Sequence, residues 1–165
     1  MAASLSMNAE PAIMEKPDQL LVFALGDQRC ALYLPVVDRV VRAVEISPLP
    51  KAPDIVLGVV NVHGEVIPVI NVRKRFGLPQ RDIALTDQLV ITHTARRPVA
   101  LVVDTVTGVV ECIARQLVVA EGILPGLEYV QGVAKLKDGL ILIYNLEQFL
   151  SLEEDVFLDQ AMSPL

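Results

Sequence analysis

An internal repeat is the feature that most constrains this chain. The residues V-V-D-R-V-V-R-A-V-E at 36–45 nearly match V-V-D-T-V-T-G-V-V-E at 102–111, which puts Asp38 in register with Asp104 (104 − 38 = 66). A second match aligns G-V-V-N-V-H-G-E-V-I-P-V-I-N-V from Gly58 with G-V-A-K-L-K-D-G-L-I-L-I-Y-N-L from Gly132 (132 − 58 = 74). Two matches in the same order indicate a duplication. The sequence therefore predicts two copies of one small unit, with a seam between them where ligands or partners could bind.

Composition narrows the class of protein. Apolar residues make up 53% of the 165 residues and the mean hydropathy is +0.50. No uncharged apolar run approaches the roughly 18 residues of a membrane span, so the surplus is expected in a core or in interfaces. The net charge of −6 and the absence of Trp both disfavour a nucleic-acid partner, which calls for cationic and stacking side chains.

The domain boundaries follow from where the patterned segments begin and end. Residues 1–17 lack the basic and apolar regions of a secretory signal peptide and are expected to form a disordered lead-in. A cytoplasmic location follows by default. Residues 18–151 are expected to form the main domain, and residues 152–165 a C-terminal helix and tail.

Short β-branched runs separated by turn residues predict an all-β chain of about ten strands. Hairpin turns are expected at Gly26-Asp27 and at His63-Gly64, where a positive φ is needed. Short helices are predicted at equivalent places in the two copies, after the capping residues Asn71 and Asn145. In the tail, Ser151 and Glu154 have the spacing of a capping box and predict a docked terminal helix.

The cysteines, histidines and basic run are interpreted as structural. Cys30 and Cys112 lack C-x-x-C spacing and are expected to be small core residues. Neither histidine has potential ligands at metal-binding spacing, so no metal or cofactor is expected. His93 is interpreted as a turn residue, and for His63 a turn role and a partner contact are equally favoured. The run 73–75, R-K-R, is expected to be a solvated face.

The paired aspartates allow one catalytic hypothesis. Asp38 and Asp104, in register in two copies, could share a proton as the carboxylates of a two-carboxylate hydrolase do. Such sites need a small flexible turn after each aspartate, whereas Arg39-Val40 and Thr105-Val106 continue as strand. We therefore interpret both aspartates as hydrogen-bond acceptors at strand ends.

Five stretches together resemble the CheW family, the adaptors of bacterial chemosensory arrays. They cover residues 20 to 150 in the order of the family, and the composite is more specific than any single piece. The stretches are L-V-F-A-L-G-D at 21–27, P-L-P-K-A-P-D-I-V-L-G-V-V-N at 48–61, G-E-V-I-P-V-I-N-V-R-K-R-F at 64–76, A-L-V-V-D-T-V at 100–106, and the G-V-A-K-L block from 132 that closes on N-L-E-Q-F-L at 145–150.

The resemblance implies a fold of two five-stranded SH3-like barrels and no catalytic residues. It implies two partners, a CheA-type histidine kinase, whose own CheW-like regulatory domain the adaptor pairs with, and the cytoplasmic tip of a methyl-accepting chemoreceptor. Direct membrane insertion is not expected. An alternative is a scaffold of the same kind in a non-motility pathway, such as surface sensing, pili or biofilm control. The alternative of another class is the hydrolase built on Asp38 and Asp104.

The resemblance also implies contact residues. Those implied for the receptor are Val37, Arg39, Gly58 and His63, and those implied for the kinase are Ile46, Ser47, Val118 and Ile123. One position departs from the family, because Asn61-Val62-His63-Gly64 stands where N-L-R-G is usual. At His63 an imidazole ring thus replaces a permanently charged guanidinium.

Overall fold

The computed structural model describes residues 16–119 and 128–163. Within these ranges the chain forms eleven strands, two α-helices and three 3₁₀ turns. The strands are β1 (Asp18–Leu25), β2 (Gln28–Tyr33), β3 (Val37–Arg42), β4 (Val56–Val62), β5 (Glu65–Ile70), β6 (Gln88–His93), β7 (Pro98–Val103), β8 (Thr105–Cys112), β9 (Leu117–Val119), β10 (Val130–Leu136) and β11 (Gly139–Tyr144). The helices are α1 (Val72–Arg75) and α2 (Leu152–Met162), and the 3₁₀ turns are Leu34–Val36, Ala114–Gln116 and Leu146–Gln148.

The strands form two sheets, and each sheet closes into a small barrel. The first barrel has the strand order β8-β1-β2-β11-β10-β9 and the second has β3-β6-β7-β5-β4. In the second barrel the chain beyond β3 returns to β4 through a bridge between Ser47 and Val59. In the first barrel β9 makes the same return beside β10, after the 3₁₀ turn Ala114–Gln116 that follows β8. The first sheet therefore has six strands where the second has five, because β8 and β9 together correspond to β3 and its return segment. The predicted all-β fold of two SH3-like barrels with a C-terminal helix is confirmed.

The two copies of the repeat exchange their first hairpins. The first barrel combines the hairpin β1–β2 of the first copy with the later strands of the second copy. The second barrel combines the hairpin β6–β7 of the second copy with β3, β4 and β5 of the first. Neither copy is therefore a barrel by itself, and the duplicated halves depend on each other for folding.

Strand pairing identifies the equivalent residues of the second repeat block. Gly58 is paired with Val69 after a β-bulge, and Gly132 is paired with Ile143 after a bulge at the same place. Each member of the first pair is 74 residues before its counterpart. The separation predicted for this block is therefore confirmed.

The first repeat block has a different separation from the one predicted. Asp38 is the extra residue of a β-bulge where β3 pairs with β6. Thr107 is the extra residue of the corresponding bulge where β8 pairs with β1. These two positions are 69 residues apart (107 − 38 = 69), so Asp104 is not the counterpart of Asp38. The register of 66 is wrong because a three-letter match, V-V-D, recurs just before β8.

Apolar side chains form one core in each barrel and a third core in the seam between them. Strand β1 contributes to two of these cores, because Leu20 and Val22 point into the first barrel while Leu21, Phe23 and Leu25 point into the seam. A strand with partners on both faces is apolar throughout, which accounts for the high apolar content. We call the third core the seam cluster; its buried members include Leu32, Ile70, Leu101, Val103, Tyr144, Phe149 and Leu158.

Local capping follows the sequence prediction. The side chain of Asn71 accepts a hydrogen bond from the Lys74 amide, and that of Asn145 accepts one from the Glu147 amide. The capping box at α2 is present in both directions. Both cysteines are fully buried, as predicted, and burial raises the pKa of Cys30 to about 12.

Candidate partner-binding surfaces

Two of the residues implied for the receptor lie on an edge strand. Val37 and Arg39 belong to β3, at one edge of the second barrel's sheet, and they flank the bulged residue Asp38. Arg39 is exposed, and Val37 packs in part against the seam cluster. The bulge interrupts the ladder at this point and turns the exposed side chains outward.

Gly58 lies against two residues implied for the kinase. A Cβ atom at Gly58, which has φ of +152°, would stand 2.2 Å from the carbonyl oxygen of Ser47 and 2.8 Å from Cγ2 of Ile46. Ser47 exchanges two backbone hydrogen bonds with Val59, at 2.9 and 2.8 Å. The structure therefore groups Gly58 with Ile46 and Ser47 rather than with the β3 residues. The side chain of Ser47 is exposed, whereas Ile46 packs in part against the core of the second barrel.

Val118 occupies in the first barrel the place that Ser47 occupies in the second. It pairs with Val133 in β10, and Val133 is 74 residues after Val59, the partner of Ser47. The carbonyl oxygen of Val118 faces Gly132 just as that of Ser47 faces Gly58. The side chain of Val118 is 45% exposed. Ile123, the other predicted kinase contact of this region, lies outside the described residues.

His63 lies at the tip of the hairpin between β4 and β5. Its φ of 51° and the φ of 85° at Gly64 give a two-residue turn with both residues left-handed, the geometry that matches strand twist. The side chain of Asn61 accepts a hydrogen bond from the Gly64 amide at 2.9 Å and stabilises this turn. His63 is exposed, and its hairpin is formed by β4 and β5, which lie at the opposite end of the strand order from β3.

The two aspartates of the hydrolase hypothesis lie at opposite ends of β6. Asp38 hydrogen-bonds His93, the last residue of β6, at 2.8 Å. Asp104 follows Val103, which pairs with Gln88, the first residue of β6. The two ends of β6 are five residue steps apart, which corresponds to about 17 Å, too far for two carboxylates to share a proton. The paired-carboxylate hypothesis is therefore wrong on geometry, and His93 serves as a partner of the β3 bulge rather than as a plain turn residue.

A charged cluster that includes Asp104 fastens the loop before β6. Asp104 accepts hydrogen bonds from Arg73 at 2.7 and 2.8 Å, from Arg81 at 2.6 Å and from the Gly26 amide at 2.7 Å. Arg81 also donates to Asp87 at 2.7 and 2.9 Å. Burial alone would raise the pKa of Asp104, but these donors hold it below its ordinary value of 3.8. The spacing of these residues gives no signal in the sequence, because the cluster joins four separate segments.

Helix α2 is held by apolar and ionic contacts. Leu158 is fully buried in the seam cluster. Arg75 donates to Glu154 at 2.6 Å, and Arg97 donates to Asp155 at 3.1 Å and to Asp159. The predicted solvated face at 73–75 is thus wrong for two of its residues, since the Arg73 and Arg75 side chains are each only 15% exposed and are paired with carboxylates.

None of the helices in residues 16–119 and 128–163 is long and apolar enough to cross a bilayer. No three His, Cys, Asp or Glu side chains of these ranges are grouped as metal ligands would be.

Comparison with known proteins agrees with this geometry. Residues 19–154 match the family model described as CheW-like domain. The chemotaxis protein CheW of Treponema pallidum (strain Nichols) is 24% identical over 149 residues, which span 87% of this chain and 88% of that protein. Protein FrzA of Myxococcus xanthus is 30% identical over 117 residues, 70% of each protein. The crystal structure of the scaffolding protein TtCheW from Thermoanaerobacter tengcongensis has a TM-score of 0.78 at 27% identity, covering 84% of this chain and 96% of that one. Since the family model matches most of its length, the chain belongs to the family of CheW-like domain proteins.

Proposed function

We propose that this protein is a non-enzymatic cytoplasmic adaptor that couples a chemoreceptor to a CheA-type histidine kinase. Membership of the CheW-like family supports this function, and a relative of known structure is named a scaffolding protein. The observation that carries the proposal is the equivalence of Ser47 and Val118. Each barrel presents the same strand-closing segment, with its side chain exposed, so one molecule can contact a kinase through two equivalent segments and leave β3 and the hairpin tip at His63 for a receptor.

The kinase contact is assigned to these two segments. Ser47 and Val118 both keep their backbone groups in the barrel ladder, so their side chains are free to vary without loss of the fold. A kinase regulatory domain built of similar barrels could pair with such an exposed, partly apolar edge, in an interface near the lower end of the usual size range. Ile46 packs against the core of the second barrel and so holds the Ser47 segment in place.

The receptor contact is assigned to β3 and to the hairpin tip at His63. Arg39 and His63 are exposed polar groups on two separate parts of the second barrel, and Val37 lies beside the seam. A helical receptor tip needs an apolar groove with polar groups at its rim. Gly58 would act indirectly, by allowing the close approach that positions Ser47.

Binding to the isolated regulatory domain of a CheA-type kinase tests the kinase half of the proposal. We expect micromolar binding by the parent protein, and at least about tenfold weaker binding by Val118→Asp and by Ser47→Lys, because an unpaired charge would be buried at the interface. Val109→Asp is the matched control, since Val109 is similarly exposed, at 48%, on β8 of the same barrel.

Ile46→Asp, the substitution that the sequence alone suggests, is a poorer probe. It would place a charge against the barrel core, so a loss of binding could reflect unfolding. The kinase assignment fails if Val118→Asp and Ser47→Lys both bind as tightly as Val109→Asp.

A further inference from the structure

Strands β3 and β8 lie side by side over the seam cluster. Strand β3 is an outermost strand of the second barrel's sheet, and β8 is an outermost strand of the first. Gln88 is paired with the last residue of β3, and its side chain accepts a hydrogen bond from the Val106 amide at 2.6 Å. This bond joins the two barrels, and it shows that the end of β3 is level with the beginning of β8.

Four valines form an apolar strip along these two strands. Val40 and Val109 are each paired with a buried residue of the seam cluster, and Val37 and Val106 pack against the same cluster. The separation of 69 residues between the two bulges makes Val37 the counterpart of Val106 and Val40 the counterpart of Val109. We call these four residues the seam strip. Because all four are valine, its apolar surface is the same in either direction.

The two ends of the seam strip carry opposite charges. Arg42 follows Val40 by two positions and Glu111 follows Val109 by two, so each charged side chain is on the strip side of its strand. The two are counterparts (111 − 42 = 69), and both are exposed. Within the described residues neither is in an ion pair. Arg39 is on the other side of β3, because its partner in β6 points into the core of the second barrel.

The surroundings of the two ends extend this difference in charge. The other residues that line a surface hollow beside Arg42 are uncharged, namely Leu85, Thr86, Gln88 and Thr105. Asp104, which precedes this group, is already bound to two arginines. At the opposite end Gln19 is paired with Glu111 and lines a hollow that includes Asp18, a second exposed carboxylate. The duplication thus repeats the backbone and the valines but reverses the charge.

We propose that Arg42 and Glu111 fix the direction in which a partner helix lies along the seam strip, with an acidic residue of the helix at Arg42 and a basic residue at Glu111. The inference rests on the proposed function, because a helix of the receptor tip is the partner. An apolar helix alone could lie on the four valines either way round. Charge complementarity at the two ends distinguishes the two directions.

The length of the seam strip sets the spacing of the charged residues on the partner. Val106 and Glu111 are separated by four steps of the ladder, which corresponds to about 13 Å. Since Val106 is level with the end of β3, this is also the distance along the strip between its two charged ends. An acidic and a basic residue about eight positions apart on one side of a helix match that distance.

Two synthetic helical peptides test the direction. Each has leucines along one side and a nitroxide at its N-terminus. The first has a glutamate near the N-terminus and a lysine about eight positions later, and the second has these two residues exchanged. The nitroxide broadens the NMR signals of nearby amides in the isotope-labelled protein. The first peptide should broaden the Thr105 amide several-fold more than the Gln19 amide, and the second peptide should do the reverse.

Reversing the charges of the protein should turn both peptides around. The variant Arg42→Glu/Glu111→Arg exchanges the two charges without changing the net charge. The matched control Lys74→Glu/Glu153→Lys does the same at two exposed positions on α1 and α2, and it should bind each peptide in the parent direction. Circular dichroism should be the same for all three proteins. Peptides that do not bind the strip, that show no preferred direction on the parent, or that keep their direction on the charge-exchanged variant would overturn the inference.

Binding of a soluble chemoreceptor fragment that contains the helical tip separates this inference from the proposed function. Arg42→Glu and Glu111→Arg should each weaken binding at least about fivefold, while Lys74→Glu and Glu153→Lys stay within about twofold of the parent. A fragment that does not bind the parent protein contradicts the proposed function. A fragment that binds the parent and all four variants equally leaves that function standing and overturns the role of the two charges.

Discussion

Gly58 lies so close to Ser47 that a side chain at residue 58 would place its Cβ 2.2 Å from the Ser47 carbonyl oxygen. This approach lets Ser47 exchange both of its backbone hydrogen bonds with Val59 and close the second barrel. The same relationship recurs in the first barrel between Gly132 and Val118, but at 3.3 Å and without a positive φ at the glycine. The duplication thus supplies a matched pair of sites that differ in how strictly glycine is required.

Gly58→Ala should destabilise the protein far more than Gly132→Ala. At Gly58 the methyl group meets a backbone oxygen and φ is +152°, so we expect a loss of about 3 kcal/mol in the free energy of unfolding. At Gly132 a shift of a few tenths of an ångström relieves the contact, and a loss of about 1 kcal/mol is expected. Urea unfolding of the two variants measures both values. Equal losses would contradict the role assigned to the Gly58 contact.

The sequence was sufficient to predict the elements and the fold class, because the signals involved are local. Asn71, Asn145 and Ser151 cap helices through atoms within three residues, and His63-Gly64 forms its turn from two residues. The family resemblance supplied the two-barrel arrangement.

Long-range features could not be predicted from local sequence patterns. The hairpin exchange depends on the pairing of β2 with β11 and of β7 with β5, which no local pattern encodes. The equivalence of Asp38 and Asp104 was wrong because the short match V-V-D recurs at 102–104, whereas strand pairing makes Thr107 the counterpart of Asp38. Arg73 and Arg75 look like a solvated run in sequence, but their carboxylate partners come from residues 31 and 79 positions away.

The stability of the folded protein should depend on pH through the ionisation of Asp104. Its pKa is lower in the folded protein than the ordinary 3.8, since the arginine and amide donors outweigh burial. Its contribution to stability is therefore complete above pH 3.8 and is lost as the pH falls through the lowered value. Asp104→Asn should cost about 2 kcal/mol at pH 7, because it removes the charge that Arg73 and Arg81 share.

Urea unfolding of the parent and Asp104→Asn at pH 7 and at pH 3 or below checks this prediction. The difference between the two proteins should shrink as Asp104 becomes protonated. A difference that is the same at both pH values would mean that the carboxylate charge has no part in the stability of this loop.

Leu158 and Leu152 test how α2 is attached. Leu158 is fully buried in the seam cluster. Leu158→Ala should therefore lower the free energy of unfolding by roughly 2 to 5 kcal/mol, the range for buried leucines. Leu152 is on the same helix and largely exposed, so Leu152→Ala should change the stability by roughly 0.5 kcal/mol or less. Thermal unfolding followed by circular dichroism distinguishes them. Similar melting temperatures for the two variants would place α2 away from the seam.

His63 should contribute to receptor binding. Its side chain is exposed at the tip of the hairpin between β4 and β5, where the family usually has an arginine. His63→Ala should therefore weaken the affinity for a receptor tip and leave kinase binding intact. Unchanged receptor binding by His63→Ala would make His63 an ordinary turn residue.

Recruitment of a kinase to a receptor tests the adaptor function most directly. Nanodiscs that carry a chemoreceptor with its cytoplasmic tip are mixed with a CheA-type kinase, and the kinase retained with the discs is measured with and without this protein. We expect retention to rise several-fold when the protein is added, and Val118→Asp to abolish the rise while the variant itself stays bound to the discs. Retention of the kinase that is unchanged by the protein, with its cognate receptor and kinase present, would contradict the proposal that it couples the two.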